Sequence, residues 1–467
     1  MSIFFSLCQF SDRVAIIDDK DNIYTYAELN KLCDEFSKNI LSSTKKLIFI
    51  LCQNSIETIV AYLACLQTEN VAVLIDAKIN KGFLENLINT YSPDYIWSPE
   101  KIYSKTEYKF GVYRLTELSP SNNIVINPSL HLLLSTSGST GSPKMIKLTK
   151  ENLQANALSI SQYLKLNEQE RAITSLPLHY SYGLSVLNSH LLVGATLLLT
   201  NHSVVTKSFW EFFTVEKASS FAGVPYTYEM LRKLKFFEMD LPSIRYMTQA
   251  GGKLNPKLVQ EYAKFSKESG FEFYVMYGQT EATARIAYLP PEDALIKYDC
   301  IGLAIPEGEL WLNDENGNII NKPNLEGELM YSGPNVMMGY AKSRKDLKKV
   351  DNLRGVLRTG DVAYFDKYQY FYITGRLKRF LKIHGNRVNL DDIEHYLKGI
   401  GFECYCGGKD DQLFIANLWP KHSEKIKKRV IEQYGFHHSI VDVIEINDIP
   451  KNDSGKILYH ELFKNYL

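Results

Sequence analysis

Short unbroken apolar runs alternate along most of this chain with segments whose apolar positions recur every three to four residues. Leu47-Ile-Phe-Ile-Leu51 predicts a strand buried on both faces, and Ile56, Ile59, Val60 and Leu63 share one side of a helix over Ser55 to Leu66. Val71-Ala-Val-Leu-Ile75 predicts the next strand, and Phe83, Leu84, Leu87 and Ile88 the next helix. A repeated strand–helix–strand rhythm packs as mainly parallel sheets covered by helices. From about 300 to 372 the runs shorten between turn signals such as Asp314-Glu-Asn-Gly317 and Ser332-Gly-Pro334, which predicts a small antiparallel or β-barrel-like subdomain. The expected fold class is α/β. A large N-terminal core over residues 1–377 holds two mainly parallel α/β subdomains and the β-rich piece, and a small α+β C-terminal domain covers 378–467.

Composition narrows the function classes. At 467 residues the chain exceeds one ordinary domain, and 53 basic residues balance 53 acidic ones. Without net charge there is no global attraction to nucleic acid or an anionic membrane, and neither is expected as a partner. Met1 to Phe10 is apolar but lacks a basic leader and a small-residue cleavage site. Leu191 to Thr200 is too short to span a bilayer. Seven cysteines without metal-ligand spacing read as reduced, mostly buried thiols, so the expected location is cytoplasmic.

The chemistry concentrates first in Leu132-Leu-Leu-Ser-Thr-Ser-Gly-Ser-Thr-Gly-Ser-Pro-Lys144, an apolar strand entering a loop of glycines and hydroxyls that ends in lysine. Glycines let several N–H groups converge on an anion, hydroxyls add donors, and lysine adds full charge, so polyphosphate is the natural guest. The Walker order is absent, because Ser-Pro-Lys follows Gly141. This run resembles the phosphate loop of the adenylate-forming superfamily: acyl-CoA synthetases, adenylation domains of nonribosomal peptide synthetases, and beetle luciferases. The resemblance extends over nearly the whole chain, because further motifs follow in the family's order.

It implies that Thr136, Ser137, Gly138, Ser139, Thr140, Gly141 and Lys144 hold ATP phosphates. In Tyr277-Gly278-Gln279-Thr280-Glu281, a carboxylate after a strand suits Mg²⁺ on those phosphates; the resemblance assigns Glu281 to the metal and Thr280 to the α-phosphate. Ala250-Gly251-Gly252 matches the turn lying against adenine and the acyl pocket. Asp361, in Arg358-Thr-Gly-Asp361, matches the acceptor of both ribose hydroxyls, with Arg376 adding a ribose or phosphate contact. Lys378 falls on the family's hinge, where the C-terminal domain swings between two poses. Lys382 and Gly385 belong to the loop that faces the active site in the second pose. In Pro450-Lys-Asn-Asp-Ser-Gly-Lys456, the glycine–lysine pair matches the segment whose lysine, here Lys456, screens the attacking carboxylate and the α-phosphate.

The acid pocket is matched by Tyr180, Ser181, Tyr182 and Gly183. Ser181 stands where amino-acid-activating members carry an aspartate, so a free α-amino acid is disfavoured. Gly278 replaces the tryptophan of acetate-specific relatives, which argues for a larger acyl group. Arg285 replaces a small pocket residue; it pairs with a second carboxylate or other polar acceptor on the acid, or else forms a structural salt bridge. The implied activity is AMP-forming ligation of a small carboxylic acid to CoA or to the phosphopantetheine of a separate carrier protein. Transfer to an amine and a non-catalytic nucleotide-binding homologue are the alternatives.

Overall fold

The computed structural model describes residues 7–99, 108–118, 124–135, 144–383, 386–451 and 457–466; the side chains of 378, 386 and 387 are outside this set. Among the described residues, those within 1–136, 142–310 and 331–357 form one compact unit, and those within 311–330 and 358–467 form a second.

The first unit contains two large sheets. Leu47–Cys52 is buried at every position and lies between Val71–Asp76 and Tyr95–Ser98, parallel to both. That placement is what a continuous apolar run demands, since neither face can meet water. The eight-stranded sheet is parallel only at its centre, with antiparallel pairs on both flanks. The second sheet has nine strands. Its middle strands, including Arg171–Ile173, Ser220–Gly223, Tyr246–Gln249 and Glu272–Tyr277, run parallel, and antiparallel strands close both edges.

The helices start where polar caps permit. Thr25 and Glu28 form a reciprocal capping box for Tyr26–Ser37, and Thr149 and Asn152 do the same for Lys150–Tyr163. The predicted helices fall at Ile56–Gln67 and Lys81–Tyr91. Ser181–Leu192 is buried along most of its length and packs on Lys150–Tyr163.

The second unit holds most of a four-stranded sheet, in which Val356–Phe365 and Phe371–Arg376 are antiparallel. It also holds a three-stranded sheet, Cys404–Lys409, Gln412–Asn417 and Val441–Glu445, whose core is shared with helices Leu390–Gly399 and Ser423–Tyr434. No helix among the described residues is long and apolar enough to cross a membrane. No cysteine is disulfide-bonded; six are buried and Cys8 is exposed.

Candidate active site

In the first unit, parallel strands deliver three of the sequence segments to one edge of the nine-stranded sheet. Tyr246–Gln249 ends at Ala250-Gly251-Gly252, Glu272–Tyr277 ends at Gly278 to Glu281, and the connection after Arg171–Ile173 leads to Tyr180 and Ser181. Carboxyl ends of parallel strands are where α/β folds place ligands, because the connecting loops diverge there.

Contacts tie these segments together. The Ser181 and Thr280 hydroxyl oxygens lie 3.1 Å apart and share a hydrogen bond. At Gly251, φ is +85° and an added Cβ would stand 2.6 Å from the Tyr180 hydroxyl, so only glycine allows this approach. A Cβ at Gly278 would lie 1.9 Å from the backbone oxygen of Ala284. This chain's turn therefore has a packing reason for glycine at 278, beside the expectation of a larger acyl group.

Glu281 accepts a 2.9 Å hydrogen bond from the Tyr340 hydroxyl on Oε1, and the Lys144 ammonium sits 3.2 Å from the centre of the same ring. Tyr340 comes from the strand Gly339–Ala341, which pairs with Met145–Leu148 so that Tyr340 faces Ile146. That register carries the ring beside Lys144. Burial, reinforced by the Glu281 charge, pushes the Tyr340 phenol up, which keeps it protonated and donating. A cation, a phenol and a carboxylate therefore stand in successive contact, the cation on the ring face and the carboxylate at its hydroxyl. Sequence reading missed Tyr340, because nothing local marks it and the pairing that places it is between segments almost two hundred residues apart.

The loop carrying Thr280, Glu281 and Arg285 is strained and pinned. Thr283 is β-branched yet has φ +63°, a conformation costing about 1–3 kcal/mol. Asn335, fully buried, offsets this: its Nδ2 donates to the carbonyls of Ala282 and Arg285, and its Oδ1 accepts from Tyr331. The Thr283 hydroxyl donates to the Asn335 carbonyl at 2.6 Å. Asn335 is a second residue that the sequence did not single out.

Mg²⁺ fits Glu281 as a ligand. One carboxylate oxygen is engaged by Tyr340, the other is available to a hard cation, and Mg²⁺ characteristically takes one or two protein carboxylates beside phosphate and water. Among the described residues no cluster of three His, Cys, Asp or Glu could cage a metal, so its other ligands would come from phosphates and water.

Arg285 is 3% exposed. Its Nε donates to the Met276 sulfur at 3.3 Å, Nη1 reaches the Ala284 carbonyl at 3.4 Å, and its guanidinium lies 4.1 Å over the Tyr182 ring. Tyr182 is held by hydrogen bonds to Thr248. Behind Arg285 lies an internal cavity of about 10 Å³, lined also by Met276, Thr248, Ser185, Ser189 and His190. That is room for about one water.

His190 Nδ1 lies 2.8 Å from the Val186 carbonyl and so carries the ring proton; Nε2 accepts from the Tyr246 hydroxyl at 2.8 Å. Burial, aided by the charge of Arg245, lowers its pKa to about 4, against about 6.5 in the unfolded chain. The unfolded state therefore binds the extra proton between those values. Neutral His190 contributes its full stabilisation above pH ~6.5, and that stabilisation, of order 3 kcal/mol, drains away as the pH falls toward ~4. Urea denaturation at a series of pH values checks this: His190→Gln should flatten the fall, and an unchanged slope in the variant would reject it.

In the second unit, Asp361 and Arg376 face each other on adjacent antiparallel strands, with Nε 3.1 Å from Oδ1. The cross-strand register makes this pair, and it orients a carboxylate that is only 5% exposed. Lys382 is exposed on Phe380–Ile383, paired opposite Arg387. Lys378 falls on the turn Leu377–Arg379, with its side chain undescribed. Thr136 to Gly141, Gly385 and Lys456 lie outside the described residues.

The fold and the array at its sheet edge are those of an α/β enzyme. The AMP-binding enzyme family matches residues 6–341, and this chain belongs to that family. A 2-succinylbenzoate–CoA ligase of Bacillus cytotoxicus is 25% identical over 97% of this chain and 95% of its own length. A probable CoA ligase of Humulus lupulus is 27% identical over 83% of this chain and 79% of its own. Among solved structures, o-succinylbenzoate CoA synthetase from Bacillus subtilis, in complex with the acyl-adenylate OSB-AMP, superposes with a TM-score of 0.79 at 22% identity, covering 99% of this chain and 97% of that one. ATP-bound MatB from Rhodopseudomonas palustris gives 0.78 at 18% identity, with 100% and 99% covered. The expected superfamily and α/β fold class are borne out.

Proposed function

We propose that this chain is an AMP-forming ligase that activates a small carboxylic acid with ATP and transfers the acyl group to CoA. The observation that carries the reading is the contact sequence Lys144–Tyr340–Glu281 beside the Thr280–Ser181 hydrogen bond, at the carboxyl edge of the nine-stranded sheet. A cation for phosphate, a carboxylate for the metal and a hydroxyl for the α-phosphate are what nucleotidyl transfer to a carboxylate needs. Long relatives named as CoA ligases support CoA as the acceptor over a carrier protein.

In the reaction, a carboxylate oxygen of the acid attacks the α-phosphorus and pyrophosphate leaves. The CoA thiolate then attacks the acyl carbon and AMP leaves. Mg²⁺ held by Glu281 would neutralise phosphate charge. Lys144, with the 136–141 loop, holds the phosphates, and the Tyr340 hydroxyl fixes the Glu281 carboxylate. Thr280 meets the α-phosphate while Ser181 orients its hydroxyl. Ala250 to Gly252 and Tyr277 to Gln279 lie against adenine and the acyl group; Tyr180, Tyr182 and Gly183 line the acyl side. Asp361, oriented by Arg376, accepts the ribose hydroxyls. Lys456 screens the attacking carboxylate, and Lys378, Lys382 and Gly385 belong to a mobile domain of residues 378–467. No side chain acts as a nucleophile; positioning and charge screening supply the catalysis.

Acid-dependent pyrophosphate–ATP exchange over a panel of carboxylic acids tests the first step, and CoA, a carrier protein and amines added in turn test the second. Exchange followed by a CoA thioester is the expected result. Exchange with no acid at all would end the ligase reading, and a product formed only with amines would replace its second half.

A further inference from the structure

Resting on that reading, we propose that the acid carries a second carboxylate, and that Arg285 is the residue that recognises it. A guanidinium presents five N–H donors and a permanent charge, and burying one is costly unless an anion answers it. Other interior arginines of this chain obey that rule. Arg344 donates to Asp94 at 3.2 Å, and Arg379 to both Asp391 and Glu394 at 2.5 Å. Arg285 is as deeply buried as either, yet no carboxylate among the described residues pairs with it. Its partners are all neutral: a thioether sulfur, a neighbouring carbonyl at the limit of hydrogen-bond length, the Tyr163 phenol and the Tyr182 face. The salt bridge that would make it purely structural is absent from the described residues.

The surroundings suit an incoming anion. Tyr163, Tyr180 and Tyr182 crowd the guanidinium. Burial raises all three phenols, and the Arg285 charge acts on each in the opposite direction. Each phenol therefore stays neutral, and none competes as an anion. His190, on the cavity wall, is held neutral as well, so Arg285 is the cation there. The backbone of Arg285 is fixed by Asn335, and its side chain by the Tyr182 face, so the donors are oriented before substrate arrives. Tyr180 connects this region to the activation site through its approach to Gly251, and Ser181 connects it through Thr280. The cavity now has room for about one water, but Met276, which closes one side, is an unbranched thioether that repacks easily. Exchanging its weak sulfur contact for a charge-assisted bond to a carboxylate is a net gain.

The experiment measures kcat/KM for pyrophosphate–ATP exchange with short straight-chain and aromatic dicarboxylic acids. Each diacid is set beside the monoacid in which a methyl group replaces the distal carboxylate. Wild type should favour the best diacid over its partner by roughly 10- to 100-fold, the range for a hydrogen bond to a charged group. In Arg285→Gln that ratio should collapse toward one, and Arg285→Lys should restore part of it. Equal loss on both acids in a folded Arg285→Gln would overturn the proposal. So would a wild-type preference for monoacids, which needs no variant to fold and leaves the ligase reading standing. Silence with every acid of both kinds would instead remove the ligase reading and this inference with it.

Discussion

Replacing Glu281 by glutamine is expected to lower acid-dependent pyrophosphate–ATP exchange by roughly 10²–10³-fold, the scale of losing one preorganised charge at a reacting phosphate. Glutamine keeps the length of the side chain and an oxygen that can still accept from Tyr340. It removes only the negative charge. The fold should therefore survive, because the backbone oxygen of Glu281 still receives the Met337 amide at 2.9 Å and the loop remains pinned by Asn335. The defect should appear as a rise in the Mg²⁺ concentration needed for half-maximal rate as well as a fall in the rate itself. Exchange measured across a Mg²⁺ series in wild type and variant decides the matter. An unchanged rate and Mg²⁺ dependence would place the metal elsewhere.

The largest effect on stability is expected from Arg379→Ala, at about 3–5 kcal/mol. Arg379 is the hub of the second unit. It donates from Nε to Asp391, from Nη2 to Glu394 and from Nη1 to the Cys406 carbonyl, and its guanidinium lies 3.9 Å over the Tyr459 ring. Glu394 also accepts from the Cys406 amide at 2.6 Å and the Tyr459 hydroxyl at 2.9 Å. One side chain thus joins the helix Leu390–Gly399, the strand Cys404–Lys409 and the segment at Tyr459. Truncation leaves Glu394 buried without its cation. Burial already pushes the Glu394 carboxyl up, against the pull of Arg379. In the variant it should rise further and take a proton when the medium allows. The deficit should therefore be greatest at neutral pH and above, and shrink as the pH falls through the raised pKa. Denaturation of wild type and Arg379→Ala at neutral and mildly acidic pH measures both effects; a loss below about 1 kcal/mol, the ordinary worth of a surface pair, would show that the network carries little.

Much of this protein is legible before any coordinate is seen. Leu47–Cys52 and Val71–Ile75 are continuous apolar runs, and short runs of this kind read as central strands, because no face of theirs tolerates water. Motif order identified the superfamily, since each motif is a local run whose chemistry is carried by adjacent residues. What the pattern understated is the antiparallel share of the sheets, because edge pairings such as Met145–Leu148 with Gly339–Ala341 join segments far apart in sequence.

The same physics separates the two kinds of site residue. Thr280, Glu281 and Lys144 sit in recognisable runs, and the sequence alone named them. Tyr340 and Asn335 sit in unremarkable ones, and only tertiary contact brings a phenol to Glu281 and an amide to the strained turn at Thr283. Gly278 gained a second reason only in the folded chain: a backbone oxygen stands 1.9 Å from where a side chain would begin. For Arg285 the sequence left two readings open, and among the described residues no carboxylate supplies the structural salt bridge. Local order along a chain determines which groups are present and which element each rides on. Whether a buried charge is answered by the protein depends on what folding sets beside it, and beside Arg285 it set sulfur, a carbonyl, a phenol and a ring face.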